Sequence, residues 1–491
     1  MAPEDRKQLA IRALARAESV TLLAGQANVS RKFVYGQAET ARQALDEAFG
    51  TPLGSDAEVL FWLPVTRRTI AIVILVLILR CHSSYRGAVD FLRDVFDYKL
   101  SIGTVHNVVA LAIDKARAIN RQEDLSAIRV GAHDEIFQGE QPVLVGMDPR
   151  STYCYLLAQE QRRDATSWGV HLLDLSARGL NVVHTIADAG KGLRAGQAEA
   201  WPDKPCWGDV FHAEREATKA TTYLDNRALG RIGERDKLER KMERAKKRAE
   251  GQSMSKELAL ARQREAVAVQ LADDMRLLAG WLHDDILCFN GANASVRREL
   301  FDFVVQEMKA REHLAPHRIA PVRTALENQR DDLLAFAEAI DVQLEKIAVD
   351  NQVPQPRVRE AFELLRLPLS SPQRWELEAS LWGLLSDRYY AIKQALEKLH
   401  EVIVRASSMV ENLNSRLRCY FFLRREVGPA YLELLRFFLN HHRYPRSRKD
   451  ARAAKSPAEI LAGKTLPHWL EQLGFTLFRQ PDHTQPALMA A

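Results

Sequence analysis

Cysteine is scarce in this chain. Five residues in 491, at positions 81, 154, 206, 288 and 419 with no regular spacing, argue against a disulfide framework or a structural zinc pattern and suit a reducing compartment. Long apolar runs are lacking as well. The most hydrophobic stretch, 69–79, is shorter than the ~18–20 residues that span a bilayer, and it is flanked by Arg67, Arg68 and Arg80. It reads as a buried helix. The opening residues do not resemble a secretory signal, so a cytoplasmic location is expected. Proline is absent from 206 to 315, and net charge is small at +5, too slight a bias to argue for nucleic acid by itself. An apolar content of 46% with 27% charged residues is ordinary for a globular chain, with length enough for three or four domains.

Three acidic residues stand at special places. Asp134 and Asp188 end short β-branched runs that read as strands, within 128–137 and 181–192, and Glu411 falls in the first turns of a helix within 407–418. A carboxylate at the mouth of a strand is held rigidly beside the sheet edge. Three such groups converging can hold two hard divalent cations about 3.5–4 Å apart, the geometry used to cleave and join phosphodiesters. Against this, the chain has 64 acidic residues, and Asp commonly ends strands as a turn former. Asp148 is the nearest rival, but its place before Pro149 is explained by a local turn. His133 and Glu135, flanking Asp134, point to the opposite face of a regular strand and are not counted as ligands.

The order of elements strengthens the acidic trio. After the Asp134 run come extended segments at 142–148 and 153–158, a helical period at 165–175, the strand delivering Asp188, a short helix opened by Gly190 and Gly192, and a fifth strand at 204–211. Three hairpin strands, helix, strand, helix, strand describe a mixed five-stranded α/β sheet with helices on its faces.

This layout resembles the ribonuclease H-like core of DDE transposases, in which one Asp lies on the first strand, another follows the fourth, and a Glu sits on a later helix. The segment with Cys206, Asp209 and His212 is similar to the Cys/Asp-x-x-His element of transposases with a helical insertion, such as the Mutator-like and hAT groups. The helix with Glu411, Asn414, Arg416 and Arg418 is similar to the Glu helix of bacterial insertion-sequence enzymes. The resemblance spans roughly 126–212 and 400–465. For Cys206, Asp209 and His212 two readings remain: a zinc site, which lacks an evident fourth ligand, or a polar brace at the end of the fifth strand, the reading we favour.

Asp134 and Asp188 are 54 residues apart, comfortable for such a core, but Asp188 and Glu411 are separated by 223. A second module must intervene. The proline-free stretch and the helix-forming, mixed-charge segment 234–250 predict long helices, a coiled-coil-like pair among them, in an all-helical insertion over 213–400. Trp281, Trp375 and Trp382 fall there; packing is their expected role, with stacking on an unpaired base as the alternative that the resemblance implies.

Sequence recognition is expected at the N-terminus. A short apolar helix from 20, a turn, and a helix opened by Ser30 as cap make a helix-turn-helix pattern, with Arg31, Lys32 and Tyr35 toward a major groove. A second candidate pairs 85–92 with a helix that Ser101 caps. Glu411, Asn414, Ser415 and Arg418 share one helix face, and with Arg416, Arg424 and Arg425 offer phosphate contacts after the metal ligand. Six cations crowd 443–455, either a phosphate-binding cluster or a solvated tail. The expected organisation is therefore a helix-turn-helix region at 1–60, a second helical DNA-binding region at 61–122, the first part of the core at 123–212, the insertion at 213–400, the Glu helix at 401–440 and a basic tail at 441–491.

The function this implies is DNA transposition. Asp134, Asp188 and Glu411 would bind two Mg²⁺ ions, Mn²⁺ substituting, to cut element ends and join them to target DNA. The expected partners are double-stranded DNA, as terminal repeats and target, and further copies of the chain in a homodimer or larger assembly, with no membrane and a nucleoid-associated place in a bacterial cytoplasm. Two alternatives stay open: a transposase-derived DNA-binding regulator without catalysis, and a metal-dependent nuclease without strand transfer.

Overall fold

The computed structural model describes residues 1–49, 63–246, 254–405, 408–423, 427–447 and 449–478. The chain divides into two compact units, Met1–Val65 with Phe478–Ala491, and Thr66–Leu477.

The first unit holds α1 (Pro3–Leu14), α2 (Val20–Gln26) and α3 (Arg31–Phe49). Ser19 caps α2 through the N–H of Leu22, and Ser30 caps α3 through the N–H of Phe33 at 3.1 Å. Asn28 takes the left-handed conformation that turns the chain between them. Leu9, Leu23, Ala24 and Val34 form a small common core. Arg31, Lys32 and Tyr35 are exposed at the start of α3, the second helix of the expected motif.

The second unit begins with α4 (Arg67–Leu79), α5 (Tyr85–Phe96) and α6 (Ile102–Gln122). Thr66 and Thr69 close a capping box on α4, and Ser101 caps α6. The apolar run is a core helix: Ile70, Ile74, Leu75, Ile78 and Leu79 are buried in a cluster that includes strand residues Ala132, Val143 and Val145. Among the described residues no helix is long and apolar enough to cross a membrane. Because α4 and α6 bury their apolar faces in that cluster, 66–122 is part of the core's own packing.

The sheet follows: β1 (Val130–Gln138), β2 (Gln141–Met147), β3 (Cys154–Gln159), α7 (Ala165–Ala177), β4 (His184–Ala187), α8 (Lys191–Ala200) and β5 (Cys206–Gly208). Strand order is β3-β2-β1-β4-β5, antiparallel across β3-β2-β1 and parallel across β1-β4-β5. The tight β1–β2 turn requires φ of +61° at Gly139, which glycine adopts without strain. Period-two alternation splits the sheet residues. Ala132, Ile136, Val143 and Val145 join the cluster with α4, α6 and the later helices, while Leu144 and Leu156 pack with Trp168, Leu172 and Leu193 of α7 and α8, joined by Tyr155 where the β2–β3 register shifts.

The fifth strand is shorter than the sequence suggests. It stops at Gly208 because Asp209 accepts the N–H of Phe211 on its own side chain and starts α9 (Val210–Lys246). The helical region continues with α10 (Met254–Trp281), α11 (Ala294–Arg311), α12 (Pro316–Asp350), α13 (Gln355–Leu364), α14 (Pro372–Leu385) and α15 (Arg388–Val402). α9 and α10 pack together, tied by Arg235 to Glu265 at 3.0 Å and Arg262 to Glu239 at 2.8 Å. One apolar cluster runs from Trp207 of β5 to Ile403. At Gly208 a Cβ would stand 3.0 Å from the Leu333 backbone nitrogen, so the missing side chain lets α12 rest directly on β5.

The chain returns to the sheet with α16 (Ser408–Leu423), α17 (Pro429–His441), α18 (Pro457–Ala462) and α19 (Trp469–Gln472). Residues 443–477, read from sequence as the start of a basic tail, are folded instead: Trp469, Leu470 and Leu473 are buried in the core, and Arg443 pairs with buried Glu459. The whole is a mixed α/β sheet with a large all-helical region and a helical N-terminal region.

Candidate metal centre

Asp134 sits on β1 among the even-numbered residues that face α16. It is 7% exposed. Its Oδ1 accepts the N–H of Glu135 at 2.8 Å and its Oδ2 accepts from Asn414 Nδ2 at 2.7 Å. His133 and Glu135 face the other way, as alternation requires: His133 bonds the Tyr155 hydroxyl and Glu135 accepts from Trp168 and Arg163. Asp148 is consumed by its own turn, accepting from the Arg150 and Ser151 N–H groups and the Ser151 hydroxyl.

Glu411, in the first turns of α16, arrives at the same centre despite the intervening helical region. Its Oε1 takes an ion pair from Arg215 and lies 3.4 Å from His212 Nε2; Arg418 approaches its Oε2 at 3.8 Å. His212, in the first turn of α9, is oriented by Asp209, whose Oδ2 meets Nδ1 at 2.5 Å. One ligand atom each from Asp134, His212 and Glu411 lies within 4.8 Å of the others. Asp188, just past β4, is half-buried and its Oδ1 accepts the N–H of Gly190 at 2.9 Å. Its negative charge reaches both Asp134 and His212.

The electrostatics are those of crowded acids. Burial pushes the Asp134 carboxyl up to about 6, with Asp188 and Glu411 adding to the rise against the Glu135 N–H and the positive His212. The hydrogen bond to Asp209 raises the His212 imidazole above its usual range, against the effect of burial. A divalent cation would reverse the penalty on the acids. The donor set fits one: carboxylate oxygens for a hard cation and one imidazole nitrogen, with Asn414, which holds Asp134 through Nδ2, keeping a buried Oδ1 without a hydrogen-bond partner.

Other expected site residues fall in several places. Asn414, expected among the phosphate contacts, is 1% exposed and holds Asp134. Arg418 is exposed beside Glu411, whereas Arg416 lines a separate small cavity with Arg80, His82 and His442. Cys206 belongs to β5 and packs beside the α7–α8 cluster. Arg424 and Arg425 lie outside the described residues. Trp375 and Trp382 are 64% and 53% exposed on α14, while Trp281 is partly buried. Arg215 escaped the sequence reading. Its spacing of three from His212 places it one helical turn further on α9, which was the available signal.

A scan against models of known protein families finds no match to the chain, and a search among curated proteins finds none either. The fold and the centre therefore carry the argument: the sheet, in the order 3-2-1-4-5, resembles ribonuclease H-like folds, and its acidic cluster is a candidate metal site of the nuclease type.

Proposed function

We propose that this protein is a DNA transposase of the DDE kind, cutting phosphodiester bonds at the ends of an element and transferring the freed strand to target DNA. One observation supports this most directly. Asp134 and Glu411, 277 positions apart in sequence, meet with His212 on the α16 side of a mixed sheet, and the charge of Asp188 reaches them.

Asp134, Asp188 and Glu411 are the groups that would hold Mg²⁺, with the His212 nitrogen adjacent. Bound divalent cations lower the pKa of an attacking water or 3′-hydroxyl and stabilise charge on the phosphorus and the leaving oxygen. The chain's own residues prepare the site. Asn414 fixes the Asp134 carboxylate by donating from Nδ2 to Oδ2 at 2.7 Å. Asp209 fixes the His212 ring through Nδ1, so Nε2 is the atom turned to the centre. Arg215 and Arg418 neutralise Glu411 in this state; released from it, both guanidinium groups are placed to take a non-bridging phosphate oxygen.

Purified protein should cleave labelled duplexes carrying the inverted repeats that flank its coding region, in Mg²⁺ or Mn²⁺ and not in EDTA. Asp188→Asn and Glu411→Gln should each reduce cleavage by orders of magnitude while DNA binding persists. Wild-type cleavage by both variants would remove these residues from the mechanism. Binding without cleavage by every form would favour a regulator.

A further inference from the structure

We infer that a basic cleft at the start of α16 is a second, separate site that grips the sugar–phosphate backbone of DNA, an inference resting on the reading of the chain as a DNA-cutting enzyme. The cleft measures about 910 Å³ and lies between the turn after β2, the end of α15, the first residues of α16 and the segment 443–465. Six lining side chains are cationic: Arg150, Arg443, Lys449, Arg452, Lys455 and Lys464. Glu459 is the one carboxylate among the lining residues, and Arg443 occupies it at 2.6 Å. The other five cations form no ion pair among the described residues. Asp450 is the only acid between 434 and 458, and it does not line the cleft. Like charges held around one opening repel unless an anion or salt screens them.

The cleft is built, not a chance gathering of tail residues. Arg452 donates to the carbonyls of Arg150 at 2.7 Å and Pro149 at 3.3 Å, pinning the basic segment to the turn after β2. Tyr444 and Thr152 share a hydroxyl–hydroxyl bond at 2.7 Å. The cations come from separate arms of chain, the turn after β2 and the segment 443–464, around a cleft of about 910 Å³, and no Phe, Tyr or Trp lines the walls. That arrangement suits a row of phosphates better than a single phosphate or a nucleotide base. Ser408 and Met409 line the cleft, and Glu411 follows within the same helical turn. A backbone held here is delivered beside the acidic centre, whose own charge would repel it.

The test compares two full-length variants of equal charge change. One replaces Arg150, Lys449, Lys455 and Lys464 with Gln; the other replaces Lys237, Arg240, Lys241 and Arg244, exposed on α9, with Gln. Binding of a fluorescent mixed-sequence duplex is followed by anisotropy from 50 to 300 mM salt, with inorganic phosphate and poly-glutamate as competitors. The cleft variant should lose at least about tenfold in affinity at 150 mM salt and flatten the slope of log affinity against log salt by about 3.6, near 0.9 for each of the four phosphate contacts removed. The α9 variant should change far less. Equal losses in both variants, no loss in the cleft variant, or stronger competition by poly-glutamate than by unlabelled duplex would overturn the inference. Thermal stabilisation by Mn²⁺, read in parallel, reports the acidic centre. If no form responds to Mn²⁺, the proposed enzyme fails, and the salt slopes still decide whether the cleft binds DNA.

Discussion

Replacing Asp134 with Asn should make the metal-free protein more stable while abolishing its response to metal. Asp134 is held at about 6 against an ordinary 3.8. The folded value lies above the unfolded one, so the ionised carboxylate opposes folding above pH 6, and the effect vanishes below 3.8. At pH 8 the penalty is up to about 3 kcal/mol. Asn removes the charge and keeps the hydrogen bonds. Its Oδ1 still accepts from Glu135, and rotating the Asn414 amide would let the unpartnered Asn414 Oδ1 accept from the new side chain. In EDTA at pH 8, Asp134→Asn should therefore unfold several degrees above wild type, and the gap should close as pH falls toward 4. Adding Mn²⁺ at a hundred times its dissociation constant should stabilise wild type by about 2.7 kcal/mol and leave the variant unchanged, removing most of its advantage. Calorimetry or a dye-monitored melt with and without Mn²⁺ reads all four conditions. A natively folded variant that is less stable than wild type in EDTA at pH 8, or one that Mn²⁺ stabilises equally, would refute the reasoning. Stability set aside at a site that needs its charges is the pattern expected where function opposes folding.

Metal affinity should fall steeply below pH 6, because Asp134 then keeps its proton; titration calorimetry with Mn²⁺ at pH 5 and 8 measures this, and equal affinities would argue against Asp134 as a ligand. Glu459 should act with the opposite sign: burial pushes its carboxyl up, but Arg443 and the N–H groups of Leu466 and Ser456 prevail and hold it at about 2, below its usual 4.5. The stability it contributes is complete above pH 4.5 and is lost as pH falls toward 2, and Glu459→Gln should cost about 2 kcal/mol at neutral pH in urea denaturation. Ser30→Ala removes the α3 cap and should cost about 1 kcal/mol of first-unit stability, loosening the exposed Arg31, Lys32 and Tyr35 helix. Deleting residues 1–65 should leave the second unit folded by circular dichroism and weaken discrimination between repeat and random DNA; unchanged selectivity would place recognition elsewhere.

Much of this protein is local in origin and was therefore readable from residue order. Alternating apolar residues around Asp134 and between 142 and 158 mark strands, because a side chain on a strand changes face at every step. Ser30, Ser101 and Thr66 stand where helix starts need an acceptor. The interval between Asp188 and Glu411 requires an added module, since a few elements cannot use 223 residues. Asp188 and Glu411 could be named because each stands at the end or start of such an element, whereas Asp134, read as ending its strand, lies in the middle of β1 opposite Val145. What lies between distant segments was not readable. Asn414 seemed a surface residue one turn beyond Glu411, but the pairing of α16 with β1 buries it against Asp134. His212 reads from sequence as part of a brace beside the metal crevice, but that α9 turns its Nε2 to Glu411, 199 positions later in the sequence, depends on packing. Arg215 had no partner in its own neighbourhood, and the basic residues of 443–455 gained Arg150 and Lys464 as neighbours through the folding of 443–477 onto the core. Periodicity and capping are written within a few residues, whereas a charged centre depends on which faces of remote helices the apolar core brings together.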